Sequence, residues 1–285
     1  MRTVTRPRTF CGLILAGISV AGSAASAQNL IGNSFDGVIY DVNQATGQAT
    51  NPRNTGITNL VDIAYASDGT LYGLTAFIST GTGNALYKFD PTTGVPALVG
   101  ATGLTEIFEG DLAFQPGTGT LFGIQDIPSS VSYRLFTLNT TTGAAGNIVN
   151  ITGVSLPDDL SGMAFASDGT LYVLDTSNET LLTVNPATGA VTSSVNLSSA
   201  LGNSAGLEFD PASGVLYTAD GNLDGTDNLY TLNPTTGALA LVGSTTLSNG
   251  LAGLTFAPVA IPEPTGALAL AGVALTSLLA RRRRA

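Results

Sequence analysis

"MAFASDGTLYVL" runs from Met163 to Leu174. Two short runs of strand-favouring residues flank Asp168-Gly169, a dipeptide suited to a tight turn because glycine accepts a positive φ. The phrase returns as "IAYASDGTLYGL" (Ile63 to Leu74), "LAFQPGTGTLFGI" (Leu112 to Ile124) and "LEFDPASGVLYTA" (Leu207 to Ala219). A second phrase follows each: "LYKFDPTTG", "LFTLNTTTG", "LLTVNPATG" and "LYTLNPTTG" end at Gly94, Gly143, Gly189 and Gly237, and "VIYDVNQATG" ends earlier at Gly47. These glycines stand 47, 49, 46 and 48 residues apart. A repeat of that length is one supersecondary unit that buries its faces only on its neighbours.

Each unit offers four stretches rich in Leu, Val, Tyr and Phe separated by turn chemistry, which predicts a four-stranded antiparallel sheet. In the first strand one face repeats from unit to unit: Ile63, Leu112, Met163, Leu207 and Leu254, then Tyr65, Phe114, Phe165, Phe209 and Phe256 two places on. Between them stand Ala64, Ala113, Ala164, Glu208 and Thr255. Such sheets packed side by side make a β-propeller. The final "GLAGLTFAP" (Gly250 to Pro258) supplies one inner strand and stops, while "NLIG" (Asn29 to Gly32) begins a unit that lacks one. Joined, they complete a fifth blade. The expectation is an all-β, five-bladed propeller over residues 28–260 whose two ends share a blade.

The ends read differently. Arg2, Arg6 and Arg8 precede an apolar run from Phe10 to Ala21, and small residues lead to Ala25-Ser26-Ala27, the pattern of a secretory signal peptide over residues 1–27 cut before Gln28. At the other end, residues 261–285 contain Pro262-Glu263-Pro264, an apolar stretch over 266–280 and a cluster of Arg281, Arg282, Arg283 and Arg284. Fifteen helical residues reach about 22 Å, and the arginines are expected to stay cytoplasmic.

This tail resembles the PEP-CTERM sorting domain of Gram-negative bacteria, also called the ice-binding protein C-terminal domain, with Ile261 where the family usually has valine. The resemblance implies an exosortase-type transpeptidase as partner, a transient inner-membrane anchor through the apolar helix, and delivery to the cell surface, often alongside exopolysaccharide. The repeats resemble the secreted lactonase-like, quinoprotein-like and NHL-like propellers with "LYxxDPxTG" phrases. Ice binding itself fits poorly, since Thr46, Thr93, Thr142, Thr188 and Thr236 occur once per blade and are turned about 72° apart in a five-fold ring, which makes no flat lattice.

Composition narrows the chemistry. There is no histidine, and the one cysteine, Cys11, is expected to leave with the signal peptide. Ser-His-Asp and Cys-His machinery and His-ligated metals are thereby excluded. Between residues 28 and 261 three basic residues face nineteen acidic ones, a net charge of −16 that repels nucleic acid.

The loops from outer to next inner strand, and from second to third strand, gather most of these carboxylates on one face of the disc. There "DGNLDGTDN" sets Asp220, Asn222, Asp224 and Asn228 at positions 1, 3, 5 and 9, with the Thr226 carbonyl at 7. That spacing suits calcium and resembles the calcium hairpins of integrin-type propellers; a metal-free Asx/Gly hairpin is the competing reading. Carboxylate catalysis would fall to Asp62 and Asp111, which precede equivalent inner strands, with Glu109 nearby and Glu208 inside a strand. The corresponding positions in the other blades are Gly162, Gly206 and Gly253. The expectation is a non-enzymatic, exported binding or structural propeller of the cell envelope or matrix, its partner an exopolysaccharide or a surface protein. The alternative is a carboxylate-based glycoside hydrolase or lactonase-like enzyme.

Overall fold

The computed structural model describes residues 28–76, 84–108, 110–127, 132–154, 159–202, 206–221 and 227–258. The segments read as a signal peptide and a sorting tail, 1–27 and 261–285, lie outside them. The described residues form five four-stranded antiparallel sheets. Blade I joins the two ends of the repeat region: β20 (Gly253–Phe256), β1 (Leu30–Asn33), β2 (Val38–Val42) and β3 (Ala49–Asn54). Blade II is β4 (Leu60–Tyr65), β5 (Leu71–Thr75), β6 (Ala85–Phe89) and β7 (Pro96–Ala101). Blade III follows with β8 (Leu112–Phe114), β9 (Leu121–Ile127), β10 (Ser132–Leu138) and β11 (Ala145–Asn150). Blade IV has β12 (Leu160–Phe165), β13 (Leu171–Asp175), β14 (Thr180–Val184) and β15 (Val191–Asn196). Blade V has β16 (Leu207–Phe209), β17 (Leu216–Ala219), β18 (Asn228–Leu232) and β19 (Leu239–Ser244).

Each inner strand touches the next, from β4 through β8, β12, β16 and β20 back to β4, so the sheets close into a five-bladed propeller. The latch between the ends is antiparallel, with Leu30 opposite Phe256 and Asn33 opposite Gly253. Gln28 Nε2 adds a bond to the Ala257 carbonyl at 3.1 Å.

The core is not central but divided among the five blade junctions. Phe122, Ile124 and Tyr133 of blade III pack on Met163, Phe165 and Leu171 of blade IV, and four comparable clusters fill the other junctions. An aromatic pair recurs at four of them. A ring from the second strand of one blade meets the inner-strand ring of the next, in Tyr72–Phe114, Phe122–Phe165, Tyr172–Phe209 and Tyr217–Phe256, at 5.3 to 5.8 Å between centroids and 55° to 59° between planes. Tilted pairs of this kind bring a ring edge to a ring face, the favourable quadrupole arrangement. At the fifth junction Ile31 stands in for the second-strand ring and packs in the cluster with Tyr65.

The outer turns owe more to their first residue than the proline and glycine alone suggest. Asn43, Asp90, Asn139, Asn185 and Asn233 each turn a side-chain oxygen back onto two backbone amides of the turn. This is the Asx-turn device. The closing glycine then seats the turn on the outer strand of the preceding blade: a Cβ on Gly143 would lie 2.4 Å from the Gly100 carbonyl oxygen, and one on Gly47 2.3 Å from that of Gly243.

Candidate functional site

The strands nearest the axis have two faces with different tasks. The face carrying Tyr65, Phe114, Phe165, Phe209 and Phe256 packs backward on the previous blade, as the aromatic pairs show. The alternate face looks forward, where five inner strands converge and space is scarce. Small residues fit there: Ala64, Ala113, Ala164 and Thr255 are all buried. At Gly253 the crowding is greatest, since a Cβ would meet Asp62 Oδ1 at 1.7 Å and Asn33 Oδ1 at 2.6 Å.

Asp62 and Asp111 lie one step along this forward face, each only 1% exposed. Both reach across a blade junction. Asp62 Oδ2 accepts the Leu112 amide at 2.7 Å, and Asp111 accepts that same amide on Oδ1 at 2.6 Å and the Met163 amide on Oδ2 at 2.6 Å. Both carboxyls therefore converge on the Leu112 amide. Burial is the main cause that raises both above the ordinary carboxylate range, and the charge of Asp62 raises Asp111 further. With Asn33 Nδ2 donating to the Leu60 carbonyl at 2.9 Å and Thr255 Oγ1 accepting the Tyr65 amide at 3.0 Å, these side chains clip blade I to II, II to III and III to IV.

A cavity of about 1030 Å³ opens at the opposite mouth, the one ringed by the Asp-Gly and Thr-Gly turns. Tyr65, Phe114, Phe165, Phe209 and Phe256, one aromatic from every blade, line its wall. Tyr65, Phe114 and Phe209 stay half-exposed, while Phe165 and Phe256 are nearly covered. Glu208 stands deeper, half-buried, at the place where three other blades carry alanine. Its Oε1 accepts the Phe209 amide at 3.0 Å. Burial, and secondarily the charge of Asp62, pushes its carboxyl up to about 8, so it is mostly neutral at pH 7. At the rim stand Asp68 and Asp210, both spent on turns: Asp68 accepts the Thr70 amide at 2.9 Å, and Asp210 accepts the Ala212 amide at 2.9 Å and the Ser213 hydroxyl at 2.6 Å. The bond from Thr70 holds Asp68 below the usual range.

The candidate residues read from the sequence therefore separate. Asp62 and Asp111 come together, but in the blade junctions and not at the cavity wall. Glu208 faces the cavity. Glu109 lies outside the described residues, as do Asn222, Asp224 and Thr226 of the calcium-type loop. Of that loop's ends, Asp220 donates its amide to the Asn228 carbonyl at 2.8 Å and spends Oδ1 on the Gly202 amide at 2.7 Å. Among the described residues no group of three or more acidic, histidine or cysteine side chains gathers to hold a metal, and no helix is long and apolar enough to cross a membrane. Pro262, Glu263, Pro264 and Arg281 to Arg284, expected to serve sorting, and Ala25 and Ala27, expected to mark cleavage, also fall outside. The Asp-Gly and Thr-Gly turns form the rim of the cavity. The signal for its wall was the invariant aromatic position, and the signal for its depth was Glu208 in an alanine series.

Residues 111–258 match the repeat of unknown function DUF6923. The chain belongs to the DUF6923 family. The matched span covers blades III to V and the closing strand of blade I, and blade II repeats the same phrases. No curated protein matches the sequence. Among solved structures, DUF6923's fold is similar to a chain of the nidogen/laminin complex, with 11% identity, 81% of this chain and 98% of that one covered, and a TM-score of 0.51. An engineered GH43 glycoside hydrolase is similar at 9% identity and a TM-score of 0.52, over 66% of this chain and 42% of the hydrolase. The periplasmic gluconolactonase of Pseudomonas aeruginosa is similar at 13% identity, over 82% of this chain and all of that one, with a TM-score of 0.46. At such identities the likeness is one of fold alone.

Proposed function

We propose that this DUF6923 protein is an exported, non-catalytic binding propeller of the cell envelope or extracellular matrix, and that the turn-rimmed cavity is its ligand site. One observation carries the reading: among the described residues a single carboxyl, Glu208, stands in the depth of the aromatic-walled cavity, and no second carboxylate joins it there. Two-carboxylate hydrolysis needs an acid and a second carboxylate that both face the scissile bond. Asp62 and Asp111 are committed to neighbouring blades, and Asp68 and Asp210 cap rim turns. A cavity of this size with apolar walls and few polar groups has the character of a small-molecule or polymer-end site. The signal-type leader and the sorting-type tail support export through an exosortase, with an exopolysaccharide or surface protein as the partner. Calcium in the loop from Asp220 to Asn228 is a separate proposal, tested by a rise in melting temperature with millimolar calcium that Asp224→Ala abolishes.

The enzyme alternative is tested directly. The protein is expected to show no turnover on lactones or glycans; turnover that disappears in Glu208→Gln would replace binding with catalysis. Export is tested by the mass of surface-delivered protein, which is expected to lack Arg281 to Arg284.

A further inference from the structure

The cavity has a sign as well as a shape. Its carboxyl-bearing residues are Glu208, Asp68 and Asp210, and among its described lining residues there is neither arginine nor lysine. The chain around it carries −16 between residues 28 and 261. An anionic ligand would enter against that field with no counter-charge to meet it. Aromatic faces, in contrast, attract cations through the ring quadrupole. The chemistry already occurs once beside the rim, where Lys88 Nζ lies 5.3 Å from the centre of the Tyr72 ring, itself part of the cavity wall. Glu208 is the one long side chain in a series of small ones, is held in place by the Phe209 amide, and among the described residues has no cation within bonding reach. A carboxyl partly withdrawn from water and without a counter-ion is costly to ionise; a positively charged guest supplies what the fold omits.

We propose that the cavity binds a ligand bearing a positively charged nitrogen, a quaternary ammonium or protonated amine, seated among the inner-strand aromatic rings with Glu208 as its counter-ion. This rests on the reading of the cavity as the ligand site and gives that site its ligand class. Because Glu208 is mostly neutral at pH 7, the guest must drive off its proton, which costs about tenfold in affinity there and little at pH 9. The other ionisable groups around it are Asp62 and Asp111 on the axis, Tyr217 opposite Glu208 in the strand pairing, Tyr65 in the wall, Asp68 and Asp210 at the rim, and Lys88 outside Tyr72. Only replacement of Glu208 isolates its share.

The test is calorimetric titration of the mature protein with choline, whose charge does not change with pH. Saturable binding is expected, about tenfold tighter at pH 9 than at pH 7, with proton release at pH 7. Glu208→Gln keeps an acceptor for the Phe209 amide, and its thermal melt at pH 7 checks that it folds. In that variant binding should weaken at least tenfold and lose its pH dependence. Choline bound equally well by Glu208→Gln would overturn the proposal. Binding of neutral oligosaccharides without choline would overturn the cationic class yet leave the cavity as the ligand site. Binding of neither choline, polyamines nor neutral oligosaccharides would remove the site itself.

Discussion

Asp111 shows how much a single side chain does at a blade junction. Its two oxygens accept amides from two different inner strands, Leu112 in its own blade and Met163 in the next. Removing the carboxyl in Asp111→Ala leaves the Met163 amide buried without an acceptor, a loss of roughly 1–3 kcal/mol. Urea denaturation should record that loss, and Asp111→Asn should recover part of it by keeping one acceptor. The sequence marked Asp62 and Asp111 as unusual, because glycine holds the same place in three blades. It did not say which way they point. A carboxylate at the start of an inner strand, inside it as Asp62 is in β4 or just before it as Asp111 is before β8, has the same sequence signature whether it faces a cavity or a neighbouring strand, and the direction follows from the twist of the whole sheet. Glu208 was more legible, since a long acid in a series of alanines has to find space somewhere, and the cavity is that space.

At the scale of strands and turns, local chemistry was close to sufficient. Alternating apolar residues, Asp-Gly turns and Asn-Pro-x-Thr-Gly turns depend on neighbours in sequence, so the strands and their boundaries could be read from one repeat. A shift of register between third and fourth strands, present in all five blades, could not. Such bulges increase local twist and answer to the packing of the next blade. Gly143 joins the two levels. Its φ of 78° is the left-handed conformation that glycine favours, and its Cα faces the Gly100 carbonyl across the junction. Gly143→Ala is therefore expected to cost about 1–3 kcal/mol, more than a positive-φ glycine in open space such as Gly69. Paired thermal melts of the two alanine variants check the difference.

The whole molecule is held by five junction cores and no central one, so no blade keeps its buried face without both neighbours. Chain truncation before Leu254 removes most of β20 and with it the pairing to β1. Loss of a single cooperative unfolding transition is expected, measured by circular dichroism against the protein ending at residue 258. The axis also makes stability depend on pH. Asp62, Asp111 and Glu208 have folded-state values raised above those of the unfolded chain, so the folded protein holds more protons between pH 4 and 8. Their contribution is complete below the unfolded values near 4 and is lost as pH rises through the folded ones. Melting temperature should fall by roughly 5–10 °C from pH 5 to pH 9, at about 2–4 °C per kcal/mol for a domain of this size. General repulsion among the acidic residues acts in the same direction, so a shallower fall in Asp111→Asn and Glu208→Gln distinguishes the buried acids.

The strand pattern, the count of five and the sharing of one blade by the two ends were all legible in the repeat, because a unit whose faces pack only on neighbouring copies leaves little choice of architecture. The composition also determined what chemistry the chain lacks, since an absent histidine is absent in any fold. That the Asp-Gly and Thr-Gly turns rim a cavity, and that Asp62 and Asp111 fasten blades while Glu208 meets that cavity, followed from the tertiary structure alone. Those outcomes depend on where strands from five separate repeats converge around one axis, a relation no single repeat contains.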